Sequence, residues 1–348
     1  MKIIIFSPTS TKLNCFSDID EPLGGADATL LKLIRVLGRS NEVVAYIPVS
    51  EKVVDDTNEN NITYRPFMDA YTTKDNCDLM ILYRKIYAMP SNIKYDRIFF
   101  YSQDTADTPC FSGLQKEGGL EFMDKFDKII VLSKFHRDNL ISAFNLNPDR
   151  MEIIGNAAHG QPLCDKEPYT FVYASTPFRG LDALARIWKR KIIKTYPQAK
   201  LHVFSSMAIY KGAAQEHMFT HLYDILRNMK GVEYHGSQNH EVVQDCMAKS
   251  KMLLYPNLYP ETYCNVIMES RSNHTPFITS SLGALPETGG AAGVYIAGNA
   301  RSEDYQQRFF EAFEQIMENK DFYDILQKNC YPIRHWSDYA NDIEKVIK

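Results

Sequence analysis

Short β-branched or aromatic runs alternate with longer helical patterns along almost the whole chain, an order that restricts the fold to parallel sheets joined by crossover helices. In the first half the expected strands are residues 3–6, 43–47, 97–101, 128–132 and 152–154, with helices over 26–38, 74–88 and 134–144. Leu30, Leu33, Ile34 and Leu37 recur at three- and four-residue steps, which gives the first helix an apolar face. A connector rich in turn formers and charge, Gly160 to Pro168, reads as an interdomain joint. Beyond it the pattern restarts, with strands over 169–174, 200–205, 232–235, 251–255, 276–278 and 294–296. Helices are expected over 181–195, 214–228, 239–248, 264–273, 302–331 with breaks, and 335–347. At 348 residues the chain exceeds the length at which one core usually stops growing. Two doubly wound domains are therefore expected, with the functional site in a cleft at carboxyl ends of strands.

Composition removes several function classes. A hydrophobic content of 45% with 24% charged residues describes an ordinary globular protein, and a net charge of -4 gives no support to a nucleic-acid partner. The seven cysteines, at 15, 77, 110, 164, 246, 264 and 330, show no CxxC, which points to reduced thiols and a cytoplasmic location. The opening Met-Lys-Ile-Ile-Ile-Phe is too short an apolar run for a signal peptide and reads as a first strand. No run of 18 apolar residues occurs, so a transmembrane segment is not expected, while peripheral membrane contact stays open. The nine histidines form no HExxH and no compact ligand cluster, so His136, His235 and His240 read as surface or loop residues and no metal is expected. Neither a GxSxG elbow nor a GxxxxGK[ST] loop is present.

Candidate site residues lie where expected strands end. Glu261 falls on the loop after the strand ending at Tyr255, and Glu269 falls near the second turn of the helix that follows. Eight residues turn a helix by about 800°, leaving two such side chains about 80° apart even if both were helical. They are expected to meet different parts of one ligand rather than act as an acid/base pair. Arg179 lies on the loop after strand 169–174, one residue before Gly180, where a helix amino terminus and a guanidinium favour an anion. The backbone at Tyr263, Cys264 and Asn265 offers a second set of anion donors, and the Glu269 carboxylate suits a vicinal diol such as ribose. In the first half, Gly24 and Gly25 permit close backbone approach or φ > 0, and Asp27 suits a hydroxyl or a helix cap. Gln103 and Asp104 follow the strand ending at Tyr101, with Asp104 equally readable as an Asx turn.

These residues fall in the order of a known family. The chain resembles the retaining glycosyltransferases of the GT-B fold, family 4, which includes sucrose synthases and bacterial lipopolysaccharide and mannosyl transferases. The resemblance runs through Gly24-Gly25, Val131-Leu-Ser133 with Phe135, Ile154-Gly-Asn156, Glu261 with Glu269, Gly283-Ala-Leu-Pro-Glu287 and His335-Trp-Ser-Asp-Tyr339. It implies two Rossmann-like domains, an acceptor-binding one at residues 1–160 and a nucleotide-sugar-binding one at 161–331. Residues 332–348 would form a helix returning to the first. It gives Glu269 the nucleotide ribose, Glu261 the transferred sugar or its surroundings, and the backbone of Tyr263 to Asn265 the diphosphate. Arg179 aligns with the family's lysine, whereas Ser175 stands where an arginine is usual. Gly236 and Ser237 would line the base pocket. Gly24, Gly25, Asp27 and Gln103 would meet the acceptor, and Asp104 joins Glu261 and Arg179 as a catalytic candidate.

The activity so implied is transfer of a hexose from a UDP- or GDP-sugar to a glycan, lipid-linked or other hydroxyl acceptor, with no permanently bound cofactor. A nucleotide-sugar 2-epimerase and a catalytically silent nucleotide-sugar-binding subunit are the alternatives.

Overall fold

Ile3, Ile4, Ile5 and Phe6 are all fully buried, which a strand achieves only with neighbours on both edges and cover on both faces. In the computed structural model, which describes residues 1–8, 13, 23–55, 61–86, 89–115, 119–210 and 213–348, fourteen strands supply two sheets. The first sheet comprises β1 (Lys2–Phe6), β2 (Glu42–Ile47), β3 (Val53–Asp55), β4 (Ile62–Pro66), β5 (Asn76–Tyr83), β6 (Lys94–Tyr101), β7 (Lys128–Val131) and β8 (Met151–Ile153). Their order is β3-β4-β2-β1-β5-β6-β7-β8, and all pairs are parallel apart from β3 against β4.

The second sheet comprises β9 (Glu167–Ala174), β10 (Lys200–Phe204), β11 (Val232–Gly236), β12 (Ser250–Tyr255), β13 (Phe277–Ser280) and β14 (Gly293–Ile296). It is wholly parallel, in the order β11-β10-β9-β12-β13-β14. Helices pack on each sheet, and each buries its own apolar cluster. In the second, Phe171, Trp188 and Phe313 meet edge to face or tilted within 6.1 Å between centroids.

The chain divides into two compact units. One holds the first sheet and the terminal helix Trp336–Ile347, and the other spans Ala157–His335. The terminal helix is tied to the first unit by sequence-distant contacts. Tyr339 is fully buried with its hydroxyl 3.2 Å from that of Tyr101, and Arg97 donates to the Ile347 carbonyl at 2.6 Å. Lys32, on the helix Gly25–Gly38, lies 5.8 Å above the Trp336 ring.

One expectation is overturned. Residues 76–83 form β5, a central strand between β1 and β6, and not the helix expected over 74–88, whose last two positions lie outside the described residues. The run Leu79 to Tyr83 is buried without interruption, as in a strand covered on both faces, so neither periodicity appears in it. Cys15 and most of the Ser7–Pro22 segment also lie outside the described residues. The other six cysteines are free thiols, and no described helix is long and apolar enough to cross a membrane.

Candidate functional site

In each sheet the order reverses beside the strand that comes first in sequence, and at such a switch point the loops leaving the carboxyl ends open a crevice. In the second unit that strand is β9, flanked by β10 and β12. The loops that follow β9 and β12 carry Arg179 and Glu261. The loops are in backbone contact: Gly180 adopts φ 99°, and a Cβ there would lie 2.0 Å from the Pro256 carbonyl oxygen.

Arg179 closes the short 3-10 turn Pro177–Arg179 and meets the second loop directly. Its Nε donates to Glu261 Oε1 at 2.6 Å and one terminal nitrogen donates to Thr176 Oγ1 at 2.8 Å. The guanidinium lies 4.9 Å from the Phe178 ring centroid and 5.0 Å from that of Tyr259. Glu261 Oε1 also accepts from the Tyr255 hydroxyl at 2.9 Å, and Ser175 Oγ lies 3.4 Å from the same hydroxyl. Burial, together with the nearby Glu261 charge, holds the Tyr255 phenol well above its ordinary range, so it stays a hydrogen-bond donor. Arg179, expected at the diphosphate, and Glu261, expected at the transferred sugar, are therefore bound to each other. Arg179 reaches the crevice as half of a largely buried ion pair, with side chains 19% and 10% exposed.

Glu269 lies apart from that pair, on the helix Asn265–Ser272. Its Oε1 sits 3.2 Å from His240 Nε2, at the start of the helix His240–Lys249. The two glutamates thus have different partners. Between them Cys264 enters the helix at φ 82°. Positive φ is uncommon outside glycine, and of the four such described residues Asn145 and His274 follow helices. The other two, Arg84 and Cys264, lie on segments that leave strand carboxyl ends, where strained backbone tends to mark function. The Tyr263 carbonyl accepts from Thr288 Oγ1, and Ala284 N donates to the Glu261 carbonyl at 2.8 Å. Gly283, at φ 60°, lets this segment approach, since a Cβ there would lie 2.6 Å from the Glu261 carbonyl oxygen. Gly236 ends β11 at φ 67° with open space around it, and Ser237 follows half-buried.

The first unit repeats the pattern at β1 and β5. Gly24 is the N-cap of the helix Gly25–Gly38 at φ -65°, so the freedom to take positive φ is not used there. Asp27 is buried inside the first turn, where its charge complements the helix dipole. Tyr83, at the end of β5, donates to the Ala26 carbonyl at 2.7 Å. Gln103 and Asp104 follow β6 as expected. Asp104, however, is engaged by Arg84 through both oxygens, each at 2.8 Å, which holds its carboxyl below the ordinary range against burial. That arrangement suits a brace between two loops better than a proton carrier. Arg84 directly follows β5, within the stretch 74–88 that reads as a helix in the sequence, so nothing local signals its approach to Asp104.

His136 corrects the expectation of a surface histidine: it is fully buried. Its backbone N donates to Ser133 Oγ at 3.0 Å, which makes Ser133 the side-chain N-cap of the helix Lys134–Phe144. Its Nδ1 accepts from Leu132 N at 3.2 Å, so the proton sits on Nε2, which meets the Asp104 carbonyl at 2.9 Å. Burial, the largest influence, lowers its pKa from 6.5 to about 4. The unfolded chain therefore binds this proton between those values and the native chain does not. The neutral histidine's contribution is complete above pH 6.5 and is lost as pH falls towards about 4, a loss of about 3 kcal/mol. Urea unfolding at the two ends of that window is expected to show it, and His136→Gln to lose much of that slope.

Two other features do not build a site. His202, Glu233 and His235 cluster on β10 and β11, with His202 Nδ1 2.9 Å from His235 Nε2 and ring centroids 5.2 Å apart at 13°. With each nitrogen about 1.15 Å from its centroid, the two nitrogens lie nearly on the line between rings, which is an N–H···N hydrogen bond and not a pair of lone pairs converging on a metal. A concavity of about 450 Å³ lined by Lys2, Asn41, Glu42 and Asp78 lies at the amino ends of the first sheet, away from every candidate residue.

Comparison with known proteins bears on the fold and on the second unit. Residues 169–319 match the family model described as Glycosyl transferases group 1. Among curated proteins, the GPI3 subunit of phosphatidylinositol N-acetylglucosaminyltransferase from Saccharomyces cerevisiae is 22% identical over 180 residues. That match takes in 47% of this chain and 38% of the relative's own length. Among solved structures, sucrose-phosphate synthase from Thermosynechococcus elongatus superposes with a TM-score of 0.73 at 13% identity, covering 100% of this chain and 98% of that one. HepE of Anabaena, solved in complex with UDP-glucose, gives 0.68 at 15% identity, covering 100% and 99%. Two sheets of parallel strands flanked by helices, matched over the whole chain, are the GT-B arrangement of two Rossmann-like domains, and the second unit is related in sequence to group 1 glycosyl transferases.

Proposed function

We propose that the protein is a retaining glycosyltransferase that moves a hexose from a nucleoside diphosphate sugar to a hydroxyl of a glycan or lipid-linked acceptor. The observation that carries this reading is the constellation at the β9/β12 switch point. There a braced guanidinium, a strained helix entry and a separate carboxylate are presented from three adjacent segments. Glu269 would accept the ribose hydroxyls, and Gly236 and Ser237 would line the base. Amides at Tyr263 to Asn265, with Arg179, would take the diphosphate. When the anomeric C–O bond breaks, its electron pair goes to the leaving diphosphate, and donors already in place stabilise that charge without reorganising. Arg179 and the amides take the part that a cation plays in other phosphate sites, so no metal is invoked.

Glu261 has a defined job in this scheme. It fixes the Arg179 guanidinium from one side, with Tyr255 behind it, so the remaining face of the guanidinium is oriented without entropy loss on binding. Ser175 lets the Tyr255 hydroxyl approach where the family carries an arginine. On the first unit, Gly24, Gly25, Asp27 and Gln103 are the acceptor contacts, with Asp104 holding Arg84 beside them.

Acceptor-dependent release of free nucleoside diphosphate tests the activity. For the ribose contact, Glu269→Ala is expected to raise the donor KM about ten- to a hundredfold with kcat nearly unchanged, as loss of charge-assisted bonds made equally in ground and transition states does. An unchanged KM would remove Glu269 from the ribose. A nucleotide-sugar-binding subunit without turnover is the second reading, favoured by Ser175 and by the neutralisation of Arg179 by Glu261. It predicts donor binding with no acceptor-dependent release.

A further inference from the structure

His240 Nε2 faces two groups with opposite requirements. Glu269 Oε1, at 3.2 Å, is an acceptor and needs a proton on that nitrogen. Gln244 Nε2, at 3.3 Å, is an amide donor and needs a lone pair there. Turning the Gln244 amide does not resolve the conflict. Its Oε1 accepts from Asn273 Nδ2 at 2.5 Å, and that Asn273 nitrogen also donates to the Glu269 carbonyl at 2.8 Å, which fixes its orientation. One ring nitrogen cannot serve both neighbours, so the ligand-free arrangement holds either Glu269 or Gln244 unsatisfied at this point. A ligand bearing two adjacent hydroxyls ends the conflict. The hydroxyls donate to Glu269, and His240 Nε2, freed of its proton, accepts from Gln244.

We propose that His240 is a positioning residue that occupies Glu269 through a proton in the ligand-free protein, so that a nucleotide's ribose diol displaces it and donor binding is coupled to deprotonation of the imidazole. The proposal rests on Glu269 being the ribose ligand, and it adds a specificity element that the motif of two glutamates does not contain. The helix His240–Lys249 packs on β9, β12 and the helix Asn265–Ser272, and among the described residues the charged side chains that those three elements carry besides Glu269 have partners of their own. Glu167 accepts from Thr170 at 2.7 Å, Lys251 lies over the Tyr323 ring at 3.6 Å, and Arg271 donates to the carbonyls of Thr288, Cys330 and Pro332. Glu241, Asp245 and Lys249 share the helix of His240 but not the three- or four-residue spacing that makes helical neighbours; Gln244 has it.

The sign follows from the chemistry. When protonated the ring is a cation, the charge-assisted bond to Glu269 is strongest, and the diol competes poorly. When deprotonated the neutral ring takes the tautomer that accepts from Gln244 and yields Glu269. Because His240 is half exposed, with its side chain at 56%, the effect is that of a screened pair, about three- to tenfold in affinity.

The test is calorimetric titration of the full chain with UDP-glucose, GDP-mannose and ADP-glucose at about pH 5.5 and about pH 8, on either side of the imidazole range. The diphosphate of these sugars does not titrate between those values. The wild type is expected to bind its preferred sugar nucleotide about three- to tenfold more tightly at the higher pH. His240→Ala is expected to lose most of that difference and to bind as tightly at low pH as the wild type does at high pH. His202 and His235 remain in the variant, so their titration cannot imitate the result. Equal pH dependence in wild type and His240→Ala overturns the proposal and leaves the donor site standing. Failure of all three ligands to bind at either pH overturns the donor reading itself, and the proposal with it.

Discussion

Arg179→Ala is expected to lower kcat for transfer by about 10²- to 10³-fold with a smaller change in donor KM, the range seen when one preorganised donor to a developing negative charge is removed. The guanidinium is held by Glu261 at 2.6 Å, Thr176 at 2.8 Å and two aromatic faces, so under the proposed function it would meet the leaving diphosphate without first losing rotamer freedom. Removing it leaves Glu261 a carboxylate only 10% exposed, so some stability is lost as well, up to about 3 kcal/mol. Rates are therefore compared at a temperature where both proteins are folded by circular dichroism. Arg179→Lys separates charge from geometry: it keeps the cation but not the planar fork, and is expected to recover less than a tenth of the lost rate. Turnover within threefold of wild type in Arg179→Ala would remove the residue from the chemistry.

Gly180→Ala is expected to be the most destabilising single-methyl change in the second unit. Two costs coincide there. The residue sits at φ 99°, outside the ordinary range for side-chain-bearing residues, and its Cβ would overlap the Pro256 carbonyl oxygen at 2.0 Å. The overlapped atom is backbone, so no rotamer relieves it, and the β9 and β12 loops must move apart. A loss of about 2–4 kcal/mol is expected, read as a fall of about 5–15 °C in the unfolding midpoint of that unit. Gly236→Ala is the control, since φ there is 67° with nothing within 4 Å of the added carbon. It should carry the conformational cost alone, about 1 kcal/mol. Equal midpoints for the two variants would mean that the loop contact does not matter. Because Gly180 adjoins Arg179, Gly180→Ala is also expected to lose transfer activity before it unfolds.

Much of this layout is legible in the chain because strand and helix periods differ and turns are marked. All six strands of the second sheet fall where the alternation puts them, and the helix Asn265–Ser272 begins beside the turn-forming segment that precedes it. The first sheet is less transparent. β5 is apolar without alternation because both its faces are covered, and such a run satisfies a helical pattern as well as a strand. β3 and β4 are short strands at the sheet edge, where burial is partial and the apolar signal weak.

The site was readable by position and not by partnership. The sequence put Arg179 and Glu261 on loops and separated Glu261 from Glu269, but strand order decides that β9 and β12 are neighbours, and only then do Arg179, Glu261 and Tyr255 meet. The same holds for Arg84 with Asp104 and for His240 with Glu269, pairs 20 and 29 residues apart that no local spacing signals. His136 shows the limit in the other direction. Its contact with the Ser133 N-cap is local, three residues back along the chain, while its burial depends on the loop after β6 folding over it.

A crystal of the protein soaked with UDP-glucose, GDP-mannose and ADP-glucose in turn tests the central claim most directly. The account predicts density for one of them with the ribose hydroxyls within hydrogen-bonding distance of Glu269, and with the diphosphate against Arg179 and the amides entering the helix at Asn265. Density with the diphosphate anywhere else, or a ribose that leaves Glu269 bound to His240, would contradict it.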